Sequence, residues 1–147
     1  MTDSLFVFVE TPALLAGMPY PRSDTDWQAL FDRGFGLVVP LHPGDYDPAP
    51  LDMRDVTLTD LYGGAVPDDP ETEAERVWEA ARIAADAVER GTGVVVHCVG
   101  GTGRTGTVVA CALRLLGCSA DESIATVQTH RPKWPESPWQ EGLVRSV

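Results

Sequence analysis

The chain has 147 residues, 22 acidic against 11 basic side chains, a net charge of −11 and 44% hydrophobic residues, the proportions of an ordinary globular domain. The basic side is ten Arg and the single Lys133 with no basic run, which argues against a nucleic-acid or anionic-membrane surface, and no apolar run reaches the ~20 residues of a membrane helix. Three Cys, at 98, 111 and 118 with no Cys-x-x-Cys pair, speak against a disulfide framework or a zinc site.

At this length about 70% of the extended chain's surface can be buried, so residues 1–147 are expected to form one domain without staples. Met1 to Ser4 has neither the positive region nor the cleavage pattern of a signal peptide, so the expected compartment is the cytoplasm. A monomer is the default expectation.

Leu5 to Val9, rich in Phe and Val, predicts a strand. Pro12, Gly17, Pro19 and Pro21 then punctuate what reads as a loop. Ser23 to Asp26 offers caps for a helix whose apolar face is Trp27, Leu30 and Phe31, ended by Gly34. Gly36 to Leu41 predicts a buried strand, His42 to Pro50 a loop, and Val56 to Leu58 a further short strand. Asp60 to Pro70 is turn-rich. Asp69 and Pro70 read as the cap and first residue of a helix running to about Arg90. Val77, Ala81, Ala84 and Val88 line one face of it, with Glu73, Glu79, Asp86 and Glu89 on the solvated side. Gly91 and Gly93 end it. Val94 to His97 is a continuous apolar strand, Thr105 to Leu116 a helix apolar nearly all round, Ser119 to Glu122 a capping box opening another helix that Arg131-Pro132 closes, and Pro138 the start of a last one. Alternating helices and long apolar strands predict an α/β layer fold with a mostly parallel sheet and helices on both faces.

The turn between the Val94–His97 strand and the helix after it reads His97-Cys98-Val99-Gly100-Gly101-Thr102-Gly103-Arg104-Thr105-Gly106. Such a turn aims successive backbone N–H groups at one point, and the helix dipole adds positive potential there. Three glycines among the five residues between Cys98 and Arg104 relieve the steric limits on wrapping a backbone around a tetrahedral anion. Cys98 at the strand end would face the centre, where the same amides favour thiolate over thiol. Val99, Gly100, Gly101, Thr102 and Gly103 would supply the cradle, and Arg104 a fixed bidentate fork for two phosphate oxygens.

This ten-residue segment resembles the signature of the cysteine-dependent protein tyrosine phosphatases. Its Gly-Gly step resembles the dual-specificity group, particularly the cyclin-dependent-kinase-associated phosphatase branch. A weaker likeness runs from about residue 14 to 140 through Ala16-Gly17, Leu30, Gly34, Val38-Val39, Arg131-Pro132 and Gln140. The resemblance implies that Cys98 forms a phosphocysteine, that Arg104 clamps phosphate, and that Thr105 helps expel the thiolate. It also implies that His97 orients the loop and supports the thiolate, and that Gln140 positions the hydrolytic water. It calls for an acid on a separate upstream loop. Leu58 to Pro67 fits that order with a longer Asp-to-Pro interval than the family pattern, making Asp60 the leading candidate. Asp60 lies 38 residues before Cys98, whereas the alternatives Asp68 and Asp69 lie 30 and 29 before it.

The rival readings are weaker matches. Gly101-x-Gly103-x-x-Gly106 satisfies a dinucleotide fingerprint, but Asp121 sits in a capping box and too little chain follows for a dinucleotide sheet. No Gly-Lys-[Ser/Thr] occurs, which excludes a phosphate-binding NTPase loop. Cys111 and Cys118 read as small buried hydrophobes, His42 and His130 as structural or solvent-facing, and Trp134 and Trp139 as packing residues. The expectation is therefore a single-domain phosphatase fold hydrolysing phosphomonoesters of proteins, phosphotyrosine first, without metal or organic cofactor. A non-catalytic phosphoresidue-binding module is the alternative.

Overall fold

In the computed structural model, which describes residues 5–61 and 66–146, five strands form one sheet in the order β1-β2-β5-β3-β4. Tyr62 to Ala65, inside the Asp60 to Pro67 interval, lie outside the described residues. The elements run β1 Phe6–Val9, β2 Leu15–Met18, α1 Trp27–Arg33, β3 Phe35–Pro40, β4 Asp52–Met53, α2 Pro70–Glu89, β5 Gly93–His97, α3 Gly103–Leu115, α4 Ala120–His130 and α5 Pro138–Arg145. All neighbours are parallel except the edge pair β1/β2.

The sheet separates two cores. Leu15, Leu37, Val39, Val94 and Val96 face the cluster that carries α2, α3, α4 and α5. Ala16, Met18, Val38 and Val95 face the smaller cluster of Trp27 and Leu30 from α1. Strands buried on both faces read as continuous apolar runs, which is why β5 is all Val between Gly93 and His97 and buried throughout.

Helix ends follow local rules. Asp26, Asp69, Ser119 and Ser137 each accept a backbone N–H at a helix start, and Ser119 with Glu122 completes the capping box. Gly34 ends α1 at φ 118°, a left-handed conformation that favours glycine.

Six expectations are corrected. Residues 12–21 are not a continuous loop, because β2 lies within them, pairing with β1 and with β5. Gly17 misleads as a turn signal: a Cβ there would lie 2.7 Å from the Phe6 ring and 2.9 Å from Thr105 Cγ2. It is a close-packing glycine within a strand that helix α3 approaches. The strand expected at Val56–Leu58 forms earlier, at Asp52–Met53. Val56 and Leu58 instead donate single N–H bonds to Pro40 O and Leu41 O as the chain leaves the sheet. Phe31, placed on the apolar face of α1, is 47% exposed, because that short helix turns only Trp27 and Leu30 inward. Glu73, expected in solvent, is buried. Helix α3 also starts two residues earlier than the Thr105 expected, and Gly93 opens β5 rather than ending α2.

A methyl group at Gly17 would have to displace the ring of Phe6 or the helix carrying Thr105. Gly17→Ala should lower stability by about 1–3 kcal/mol, measured by urea unfolding. Adding Phe6→Leu should make the pair less destabilising than the sum of the single changes, because removing the ring makes room for the methyl.

Candidate active site

β5 lies between β2 and β3 and ends at His97, so Cys98 emerges at the carboxyl end of the central strand. Cys98 is 3% exposed. Its Sγ accepts the N–H of Gly101 at 3.2 Å and the hydroxyl of Thr105 at 3.1 Å. Gly101 adopts φ 77°, and a Cβ there would meet the backbone of Met18 and Pro19 at 2.9–3.0 Å. No side chain fits that position. On the outer side of the turn, the Gly101 carbonyl accepts Arg131 Nε at 2.9 Å. The Arg131 guanidinium lies 3.8 Å from the Phe6 ring centre. Since C=O and N–H of a trans peptide point in opposite directions, turning this carbonyl outward turns the Thr102 N–H inward.

A cleft of about 350 Å³ opens over the turn. Cys98, Val99, Gly100, Thr102, Gly103 and Arg104 contribute to it, with Asp60, Leu61 and Glu136 as its outer walls. Arg104 is buried; its Nη1 donates to Leu58 O at 3.3 Å and its Nη2 lies 3.4 Å from Asp60 Oδ2. Asp68 and Asp69 line a different pocket, with Thr59, Val66 and Arg76. Asp69 is occupied as the cap of α2, where the Thr72 N–H and hydroxyl hold its carboxyl below the usual range. The structure thus brings Asp60 to Cys98 and Arg104, and leaves Asp68 and Asp69 outside. A larger cavity of about 660 Å³ along β4 and α2 contains none of these groups. Chemistry rather than size identifies the site.

Behind the cleft, His97 is fully buried. Its Nδ1 lies 3.1 Å from Cys98 O and its Nε2 2.6 Å from the Tyr46 hydroxyl. A carbonyl can only accept, so Nδ1 carries the proton and Nε2 accepts from Tyr46. Burial pushes the Tyr46 phenol well above its ordinary range, keeping it a donor, and pulls His97 down to about 4. His97 is therefore neutral at pH 7. It holds the Cys98 carbonyl and brings no positive charge to the sulfur.

Comparison with known proteins agrees with this geometry. Residues 5–137 match the family described as Swiss Army Knife protein, DSP-PTPase phosphatase domain. The chain belongs to this family. Tyrosine-protein phosphatase cdc-14 of Caenorhabditis elegans is 28% identical over 131 residues, covering 87% of this chain and 17% of that protein, so the chain spans about a sixth of that relative's length. Human DUSP28 superposes with a TM-score of 0.73 at 20% identity, covering 99% of this chain and 93% of that one. Tk-PTP in its active form gives 0.73 at 23% identity, covering 99% and 97%. Kinase associated phosphatase, with its catalytic cysteine replaced by serine, gives 0.72 at 15%, covering 99% and 95%. At these identities the structural likeness concerns the fold.

Within this DSP-PTPase domain, sequence reasoning missed four groups. Tyr46 sits in a long loop and carries no local signal. Arg131 was visible only as the end of a helix and as one position of the weaker family likeness, and Glu73 only as one acid among several on α2. Glu136, on the cleft wall, precedes Gln140 by one helical turn. Its backbone N–H donates to Gln140 Oε1 at 2.7 Å. Gln140 itself is buried and lines the small neighbouring pocket with Leu58 and Arg104 rather than the cleft. Cys111 lies in the core, where burial pushes its thiol up to about 12. Cys118 is half-buried. Among the described residues no helix is long and apolar enough to cross a membrane.

The depressed His97 pKa has a signed consequence. The unfolded chain protonates this group near its ordinary 6.5 and the folded one near about 4, so between those values the unfolded state binds more protons. The contribution of neutral His97 is complete above pH 6.5 and lost as pH falls toward 4, on the order of 3 kcal/mol in all. Asp55, His42, Arg104 and Tyr46 surround the ring and stay in place in His97→Asn. The stability advantage of the unmutated chain over His97→Asn should therefore shrink as pH is lowered from 7 to 4.5, measured by urea unfolding.

Proposed function

We propose that this domain is an active phosphomonoester hydrolase that works through a phosphocysteine on Cys98, acting on phosphorylated protein with phosphotyrosine favoured. One observation carries the reading: the Cys98 sulfur sits at the focus of Gly101 N–H and Thr105 O–H in the cleft that also holds Arg104 and Asp60. The Cys98 thiolate attacks phosphorus in line, and the bond from phosphorus to the substrate oxygen breaks. Val99 to Gly103 and the Arg104 fork hold the three non-bridging oxygens, whose charge spreads in the transition state. Asp60 gives its proton to the departing oxygen. Water then attacks the phosphocysteine, returns a proton to Asp60, and the S–P bond breaks with Thr105 donating to the leaving thiolate. No step requires a metal or an organic cofactor.

In the ligand-free arrangement Asp60 rests against Arg104. A bound phosphate takes that fork, and the charge it places beside Asp60 favours the protonated carboxyl that an acid needs. The phosphotyrosine preference rests on a loop without Lys and a net charge of −11, both unfavourable to highly anionic substrates.

A serine hydroxyl does not ionise usefully at neutral pH, so Cys98→Ser should abolish turnover of an aryl phosphate in the presence of chelator while retaining phosphate binding. Substantial hydrolysis by that variant would remove the mechanism. Asp60→Ala should lose about 10²- to 10⁴-fold on esters of poorly acidic alcohols or phenols, and far less on esters of an acidic phenol. Phosphate binding without turnover by the unmutated chain would instead identify a binding module.

A further inference from the structure

We infer that Glu73 is a positioning residue for Asp60, a role that rests on the reading of Asp60 as the general acid. Glu73 is the buried exception among the acids of α2, whose neighbours Glu71, Glu75 and Glu79 are exposed. Taking a carboxylate out of water is costly unless its oxygens are hydrogen-bonded. Here both oxygens go to one residue: Oε2 accepts the Thr59 N–H at 2.7 Å and Oε1 the Thr59 hydroxyl at 3.1 Å. Thr59 immediately precedes Asp60.

The residue on the other side is held as well. Leu58 donates its N–H to Leu41 O at 3.0 Å, and its carbonyl accepts Arg104 Nη1 at 3.3 Å. Leu58 and Thr59 are thus tied to the end of β3, to α3 and to α2. Asp60 follows directly, with Oδ2 3.4 Å from Arg104 Nη2. Thr59 and Asp60 are themselves exposed, so packing does not hold them. The Glu73 bonds fix the peptide from which the Asp60 side chain projects, and α2 becomes the support of the acid. A displacement of about 1 Å at a reacting group can cost on the order of 10²-fold in rate.

The distinguishing readout is dependence on the leaving group. Glu73→Met keeps the length and apolar stem of the side chain but leaves the Thr59 N–H unpaired. It should lose on the order of 10²-fold in kcat on phenyl phosphate, and less than about tenfold on p-nitrophenyl phosphate, whose phenol leaves with little help from an acid. Glu73→Gln can accept the N–H through Oε1 and donate to the Thr59 hydroxyl through Nε2, so it should restore the unmutated profile. In an Asp60→Asn background Glu73→Met should produce no further leaving-group effect. If Glu73→Met does not fold, Thr59→Val removes the hydroxyl arm alone at an exposed position and should show the same selective loss, smaller in size. Equal losses on the two esters, or a Glu73→Gln variant as impaired as Glu73→Met, would overturn the positioning role. If Asp60→Asn itself shows no leaving-group dependence, the acid reading fails and the role of Glu73 with it. If Asp60→Asn shows the dependence and the Glu73 variants do not, only the positioning role fails.

Discussion

The cleft is organised around one desolvated sulfur atom. Cys98 is taken out of water at the end of a strand flanked on both sides, and its Sγ is met by an amide and a hydroxyl from the following turn and helix. Holding those donors at one point requires the chain to reverse within a few residues without losing β5 or α3. Gly101 makes the reversal possible through its left-handed conformation and its closeness to the Met18–Pro19 backbone. The same need for proximity explains Gly17, where the absence of a side chain lets the Phe6 ring and Thr105 lie against β2.

Arg104 carries the second constraint. In a chain of net charge −11 it is a buried cation facing the cleft, and it satisfies itself on a backbone carbonyl and on Asp60. Arginine suits this double duty because its planar fork stays charged and can exchange one oxygen partner for another without changing its own position. The group that would bind phosphate therefore also registers the loop before α2, and a bound oxyanion would be sensed at both ends of the guanidinium.

The opposite side of the signature is held by one neutral group and one cation. His97, neutral because burial disfavours its protonated form, links Tyr46 to the Cys98 carbonyl. Arg131 holds the carbonyl of Gly101. Outward-turned carbonyls at both positions leave the amides of the turn directed inward, which is what a tetrahedral anion needs.

Local chemistry made much of this legible. The Val-rich β5, the Asp69-Pro70 start of α2 and the Ser119–Glu122 capping box are read correctly from neighbouring residues, because each depends on spacing along one element, and the Cys98 to Gly106 run forms the strand-to-helix turn that its glycines indicate. β2 was lost because four residues buried on both faces show no alternation and Gly17 mimics a turn. The placement of Asp60 beside Arg104, of Asp68 and Asp69 away from it, of Tyr46 behind His97 and of Glu73 beneath Thr59 depended on the tertiary structure. Those contacts join residues 14 to 51 positions apart, and only the packing of α2, β3 and α3 on the sheet decides which carboxylate reaches the cleft and which is buried. The sequence by itself determined the turn after β5 and the helix caps, since backbone geometry and short-range hydrogen bonds suffice for them. The tertiary structure alone decided the partners of that turn, since burial and long-range proximity are not properties of any local segment.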